Sequence, residues 1–246
     1  MISLRLALAV ALTLCAGAAA AQDLPQGFVR LRDVAPGIAQ DIRYASANNF
    51  TGHPLPGYAA PDCILRRAAA LALKRVADGL AKENLSLKVY DCYRPTRAVA
   101  AMARWAGNRN AAPDTRRFYP ALKKDGLFAH GWIAAHSAHS RGVAVDLTVV
   151  PKGSPTPPFD ATARYGSCAG PAAERAPDNS LDMGTGYDCF DVRSYTRSPV
   201  APAERKNREL LLSVMARHGF TNYNREWWHF SYPAADPRRE FDFPVR

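Results

Sequence analysis

Apolar residues with helical spacing predict three helices. Residues 64–82 carry apolar side chains three or four positions apart, which places them on one face of a helix: Leu65, Ala69, Ala72, Val76 and Leu80. A second helix is predicted to begin at Thr96, whose hydroxyl can cap its first turn. One side of that helix carries Val99, Met102 and Trp105. The third helix is predicted over residues 202–218, because Pro202 suits a first turn and Gly219 a C-terminal stop.

Alternating and continuous apolar stretches predict the strands. Apolar and polar residues alternate over 85–89, which indicates a strand. Residues 143–149 are a second candidate strand, and the aromatic stretch 226–232 is a final one. Few strands mixed with helices predict a single α+β domain, with a small central antiparallel sheet flanked by helices.

The first 21 residues have the order of a secretory signal peptide. Arg5 precedes an apolar run over residues 6–14, and small residues follow up to Ala21, which suits cleavage there. The run is too short to span a bilayer. Lipid attachment at Cys15 is disfavoured, because the residue before it is a large leucine. Cleavage and release predict a periplasmic or secreted protein.

The rest of the chain is predicted to form one domain. About 225 residues remain after cleavage, enough for one good core but few for two domains. Residues 22–30 are expected to be a short tail and residues 31–246 the domain. Within it, residues 151–180 hold several Pro and Gly with little periodicity, which indicates a loop insertion on the surface.

The basic composition adds little to the choice of function. The net charge is +10 at pH 7, but the Lys and Arg residues are scattered along the chain. No basic run is interleaved with aromatic residues as a nucleic-acid groove requires, so nucleic-acid binding is not expected. After the signal peptide, no segment is apolar enough to cross a membrane. Composition does not predict an oligomeric state.

Four cysteines remain after cleavage, and export leads to an oxidising compartment in which they can pair. Sequence alone allows three pairings of Cys63, Cys92, Cys168 and Cys189, with four free thiols as the less expected alternative. A helix of about 18 residues and a strand of about seven span roughly 27 Å and 23 Å. If they pack antiparallel, Cys63 meets Cys92, which leaves Cys168 to pair with Cys189. No CxxC spacing indicates a zinc ion held by cysteines.

The segment 137–146 carries the first candidate site residues. Zinc peptidase sites use three His or carboxylate ligands and keep an open position for water. Gly142 allows the backbone to bend, so His139 can precede the predicted strand while Asp146 lies on it. Asp146 has apolar neighbours, and burial of a carboxylate requires compensation such as a metal. Taken alone, a loop histidine and a salt-bridged aspartate explain the segment equally well.

Two further segments carry candidate chemistry. Glu226 stands three residues before His229 among tryptophans, whose low polarity raises a carboxylate pKa and suits a proton shuttle. An aromatic core strand is the better interpretation of that segment by itself. Arg94 lies between a predicted strand and a helix, where a guanidinium can stabilise an oxyanion or bind a carboxylate. A surface salt bridge is the commoner role of an arginine.

The combined motifs resemble those of the VanX-type D-Ala-D-Ala dipeptidases, in a wider group of zinc peptidases that includes D,D-carboxypeptidases. The shared patterns are Tyr-Arg-Pro at residues 93–95, Ser-x-His-x-x-Gly-x-Ala-x-Asp at 137–146 and Glu-x-x-His at 226–229. Residues 43–52, 183–188 and 241–246 extend the similarity, which covers nearly all of residues 30–246.

The resemblance implies a role for each matching residue. His139, Asp146 and His229 match the ligands of one Zn²⁺ per chain, bound at the sheet. Glu226 matches the catalytic acid/base, and Arg94 the residue that stabilises the tetrahedral intermediate. The positions that line the dipeptide site correspond to Ser137, Tyr44 and Asp188, with Asp188 contacting the free ammonium.

The implied function is zinc-dependent hydrolysis of the small dipeptide D-Ala-D-Ala, in peptidoglycan turnover or glycopeptide resistance. The chain departs from the shorter cytoplasmic members by its signal, its cysteines and the 151–180 insertion, which leaves open whether the insertion reshapes the entrance to the site. A D,D-carboxypeptidase acting on peptidoglycan stem peptides is the alternative, with the same zinc chemistry. A non-catalytic binding module is disfavoured because no ligand is lost. His136 matches no family ligand and is expected beside the site or on the surface.

Overall fold

The computed structural model describes residues 24–108 and 115–246, and the predicted signal peptide lies outside them. Strands in these residues are β1 (Phe28–Arg30), β2 (Ala39–Gln40), β3 (Ile64–Arg66), β4 (Leu85–Asp91), β5 (Ala144–Pro151), β6 (Thr221–Asn222) and β7 (His229–Ser231). Helices are α1 (Leu31–Val34), α2 (Arg67–Leu80), α3 (Thr96–Gly107) and α4 (Pro202–Arg217). This mixture forms one α+β domain, as predicted. No helix among the described residues is long and apolar enough to cross a membrane.

The central sheet has five strands in the order β2-β4-β5-β7-β6. Strands β4, β5, β7 and β6 pair antiparallel, but β2 runs parallel to β4. The prediction of an antiparallel sheet is therefore wrong at one edge. The chain between β2 and β4 passes through α2, and a helical crossover of this kind returns the next strand in the same direction.

Several predicted boundaries also shift. The helix predicted over 64–82 begins only at Arg67, because the preceding residues form β3 and pair with β1 in a separate two-stranded sheet. The last three residues of the predicted tail 22–30 therefore form strand β1, and Phe28 at its start is buried. Pro95 rather than Thr96 occupies the cap position of α3. Only His229–Ser231 of the predicted strand 226–232 is extended.

Both disulfide bonds have the predicted pairing. Helix α2 packs against β4, so Cys63 before β3 and Cys92 after β4 lie at the same end of the pair, with Cα atoms 5.2 Å apart. The second disulfide joins Cys168 to Cys189, with Cα atoms 5.4 Å apart. Each bond closes a loop across the domain and limits the conformations open to the unfolded chain.

About half of the residues in the segment 151–180 are exposed, but its C-terminal part is anchored to the core. The Asp178 carboxylate accepts hydrogen bonds from Lys88 Nζ at 2.8 Å, Arg43 Nη2 at 2.7 Å and Tyr90 Oη at 2.9 Å. Lys88 is fully buried and Arg43 nearly so, and buried cations require such a partner. The segment is therefore attached to β4 by a buried charge network that its composition does not reveal.

Gly142 forms the bend between the turn Ala138–Arg141 and β5. Its φ is +73°, in the left-handed region that favours glycine. A Cβ atom built there would lie 2.2 Å from Cε1 of Phe28, whose ring packs edge-on against Phe241 and Phe243. The bend is thus closed by the same aromatic cluster that holds β1 in place.

Gly142→Ala is expected to destabilise the fold by about 1–3 kcal/mol, because it adds both backbone strain and a clash with a packed ring. Urea denaturation measures this change. Gly37→Ala is the matched control, since a Cβ atom there meets nothing within 4 Å and φ is not positive. Equal stability of the two variants would contradict the assigned role of Gly142.

Candidate active site

Three sequence-predicted ligand residues come together at the end of the central sheet. Asp146 lies on β5 and His229 on β7, and the antiparallel register places the two residues directly opposite each other. His139 lies in the short turn before β5, and the Gly142 bend directs it back toward the same edge. His139 and Asp146 are buried, and 16% of the His229 side chain is exposed.

The donor atoms of these residues face one point. His229 Nδ1 lies 2.9 Å from Asp146 Oδ1 and 3.1 Å from His139 Nε2. His139 Nε2 lies 3.3 Å from Asp146 Oδ1, and all three donor atoms fall within 4.8 Å of one another. Two imidazole nitrogens and one carboxylate oxygen are a donor set that suits a divalent transition metal. The group could therefore hold a metal ion.

The orientation of His139 is set by a backbone carbonyl that the sequence motifs do not contain. Its Nδ1 lies 2.6 Å from the oxygen of Cys92. Since a carbonyl oxygen only accepts hydrogen bonds, Nδ1 carries the proton and Nε2 keeps its lone pair for a ligand. The Cys63–Cys92 disulfide holds this carbonyl at the end of β4. Asp91 Oδ2 lies 3.3 Å from the same Nδ1.

Asp146 is ionised despite its burial. Burial would raise its pKa, but interactions with His139 and His229 outweigh that effect and hold the pKa of Asp146 well below its ordinary value. Its second oxygen, Oδ2, accepts a hydrogen bond from Tyr187 Oη at 3.1 Å. Tyr187 is buried and was not among the residues predicted for the site.

Glu226 lies in the turn just before β7, beside the ligand group. Its Oε2 is 3.8 Å from His229 Nδ1, and 14% of its side chain is exposed. Burial raises the pKa of Glu226 to about 8, and His229 partly opposes the shift. A carboxyl group with this pKa can both accept and release a proton near neutral pH.

Arg94 follows β4 and points into the same region. Its Nε and Nη2 lie 2.9 Å and 2.8 Å from Asp91 Oδ2, and its guanidinium stacks over the Tyr44 ring at 4.8 Å. Asp91 is fully buried and also accepts a hydrogen bond from Tyr58 Oη at 2.6 Å. Sequence analysis missed Asp91, although its place at a strand end three residues before Arg94 was a usable signal.

The residues predicted to contact substrate lie in the same cavity. Tyr44 Oη donates to Asp188 Oδ2 at 2.8 Å, and burial together with Asp146 raises the pKa of Asp188 to about 8. Asp188 adopts a left-handed conformation, with φ of 56°. Ser137 lines the cavity, but its hydroxyl accepts the backbone N–H of His139 at 3.2 Å.

The cavity measures about 220 Å³ and has mixed walls. Its polar face holds the residues described above, and its apolar face is formed by Phe50, Met102, Trp132, Ile133 and Phe190. No residue of the 151–180 segment is among those that line it, so the insertion does not form this wall. His136 is at the rim, with 85% of its side chain exposed and Nδ1 3.2 Å from Glu240 Oε2.

Comparison with known proteins gives consistent matches. The family model Peptidase_M15, described as D-ala-D-ala dipeptidase, matches residues 25–157 and 174–246. A D-alanyl-D-alanine dipeptidase of Streptomyces coelicolor is 34% identical over 220 residues, which cover 89% of this chain and 98% of that protein. A D-alanyl-D-alanine dipeptidase of Enterococcus faecalis is 32% identical over 224 residues, covering 90% of this chain and 100% of that protein.

One solved structure also aligns. It is the structure of the vancomycin resistance D,D-dipeptidase VanXYg in complex with a D-Ala-D-Ala phosphinate analogue. The alignment covers 83% of this chain and 66% of that chain, at 16% identity and a TM-score of 0.34. An alignment with a TM-score this low supports no conclusion about the fold.

Asp91→Ala is expected to destabilise the protein by about 3–5 kcal/mol, because it leaves the Arg94 guanidinium without its buried partner. The free energy of unfolding in urea, measured without added metal, tests this. Asp78→Ala removes the carboxylate of an exposed pair with Lys74 and is expected to cost less than about 1 kcal/mol. Similar losses in both variants would refute a structural role for the Asp91–Arg94 pair.

Proposed function

The chain belongs to the Peptidase_M15 family of D-ala-D-ala dipeptidases, and from this premise we propose that it is a zinc peptidase that hydrolyses free D-Ala-D-Ala. The observation that carries the proposal is the convergence of His139 Nε2, Asp146 Oδ1 and His229 Nδ1 beside Glu226. Both the relatives and this geometry support one reaction, hydrolysis of a peptide bond.

The proposed cofactor is one Zn²⁺ per chain, held by His139, Asp146 and His229. When bound, such a metal lowers the pKa of a water molecule and polarises the carbonyl group of a substrate. The chain fixes the relative position of two of these ligands, because Asp146 and His229 lie opposite each other on paired strands of the central sheet. The Cys92 carbonyl keeps His139 Nε2 unprotonated and directed at the site.

Glu226 is the proposed general base and acid. Glu226 lines the cavity and its Oε2 lies 3.8 Å from His229 Nδ1, so it can accept the proton of the attacking water and pass it to the leaving amine. Arg94 lines the cavity, where its guanidinium can donate hydrogen bonds to the carbonyl oxygen as negative charge develops there. Asp91 and the Tyr44 ring hold the guanidinium in that position.

The proposed dipeptide contacts explain a preference for a free amine. A substrate ammonium beside Asp188 would favour the ionised carboxylate, because the described residues offer it only the Tyr44 hydroxyl and the more distant Arg94. Ser137, which also lines the cavity, is a second proposed contact, and its oxygen already accepts one backbone hydrogen bond. A cavity of about 220 Å³ accommodates a ligand of dipeptide size.

The proposed location is outside the cytoplasm, in the periplasm or secreted. The disulfides Cys63–Cys92 and Cys168–Cys189 fit an oxidising compartment. The order of residues 1–21 supports export by a signal peptide. There the enzyme would meet peptides released from peptidoglycan, in cell-wall turnover or in glycopeptide resistance.

Glu226→Gln is expected to lower kcat for D-Ala-D-Ala by about 10²–10⁴-fold while one zinc per chain is retained, because the amide cannot accept the proton of water. Metal analysis and a hydrolysis assay on the same preparation measure both quantities, with chelation of the wild type abolishing activity. The control is Glu209→Gln, an exposed change on α4. Wild-type activity in a zinc-loaded Glu226→Gln enzyme would refute the assignment.

The free amine separates the two candidate peptidase activities. D-Ala-D-Ala is expected to be cleaved with a kcat/KM at least about 100-fold above that of N-acetyl-D-Ala-D-Ala, because acetylation removes the charge that Asp188 would bind. In Asp188→Asn this ratio is expected to fall, through loss of activity on the free dipeptide. Equal cleavage of both substrates by the wild type would favour the D,D-carboxypeptidase instead.

A further inference from the structure

The two oxygens of the Asp146 carboxylate have different surroundings. Oδ1 faces the donor nitrogens of His139 and His229, at 3.3 Å and 2.9 Å. Oδ2 is turned away from them and accepts the hydroxyl of Tyr187 at 3.1 Å. A carboxylate that is free to rotate can offer a cation both oxygens, so whatever holds Oδ2 also determines how many oxygens the cation receives.

Among the described residues, Tyr187 is the one that donates a hydrogen bond to Asp146 Oδ2. The guanidinium of Arg94 is also nearby, but its Nη2 lies 3.6 Å from Asp146 Oδ2, beyond the distance of a good hydrogen bond. That same Nη2 already contacts Asp91 at 2.8 Å. The Tyr187 hydroxyl donates this hydrogen bond, and the carboxylate oxygen accepts it.

The Tyr187 ring is itself firmly placed. It stacks on Tyr90 with ring centroids 4.4 Å apart and planes inclined by 15°, and it meets the edge of Trp228 at 5.6 Å. Tyr90 donates its own hydroxyl to Asp178, which also pairs with Lys88. The stack therefore connects the anchored end of the 151–180 segment to the candidate metal ligand.

We propose that Tyr187 is a positioning residue that restrains Asp146 to bind the metal through Oδ1 alone, by keeping Oδ2 in a hydrogen bond. This rests on the proposed metal site. Loss of the hydroxyl frees the carboxylate to rotate, which weakens the preorganised three-donor set and allows both oxygens to approach the ion. Tyr187 is not among the residues that line the cavity, and its hydroxyl contacts the candidate ligand group through Asp146.

Tyr187→Phe tests this with a readout other than catalysis. The variant is expected to bind Zn²⁺ about 10–100-fold more weakly than the wild type in competition with a chromophoric chelator. With Co²⁺ as a spectroscopic probe, its visible absorption is expected to weaken and shift, because a second carboxylate oxygen raises the coordination number. Circular dichroism of the metal-free proteins checks that both are folded.

Tyr90→Phe is the matched control, because it removes a buried hydroxyl from the same stack but one that faces Asp178 instead of Asp146. Its zinc affinity and cobalt spectrum are expected to match the wild type within about twofold. If Tyr187→Phe also matches the wild type, or if both variants change alike, the positioning role is refuted and the zinc site stands. A wild-type protein that binds no zinc would instead refute the proposed function and this inference with it.

Discussion

Two buried carboxylates on neighbouring strands impose the main constraint on this structure. The register of β4 and β5 sets Asp91 opposite Asp146, and both side chains are almost completely shielded from water. Two like charges on paired buried residues repel each other, and each needs compensation that solvent cannot supply. Arg94 and Tyr58 contact Asp91, and Tyr187 and His229 contact Asp146. His139 lies close to both carboxylates. The candidate metal site is thus one part of a larger cluster of buried groups that compensate the charges of Asp91 and Asp146.

This constraint explains which parts of the site could be predicted from sequence. His139, Asp146, His229, Glu226 and Arg94 lie in short motifs whose residue types point to metal and proton chemistry. Asp91 and Tyr187 act across strands and loops, and the Cys92 contribution comes from a backbone atom. Such partners depend on the register between neighbouring strands. Strand β4 is buried on both faces, so the alternation of apolar and polar residues in its sequence does not specify that register.

The same limit applies to the fold. The helices and the two long strands were predicted close to their observed positions, because their periodicity is strong. The short β1, β2 and β3 carry too few residues for a period, and their pairing depends on distant segments. The family model leaves out residues 158–173 and resumes at residue 174, just before the anchor at Asp178. Composition alone could not separate the residues outside the family match from the anchored residues that follow them.

Position 188 shows how backbone and side chain can restrict a residue together. With φ at 56°, the main chain there excludes β-branched and most bulky amino acids, and tolerates glycine, asparagine and aspartate best. Among those three, aspartate alone brings a negative charge to the cavity. An engineer who wished to retarget the pocket toward uncharged groups could therefore install only asparagine or glycine at this residue, and any larger side chain would first require a rebuilt loop.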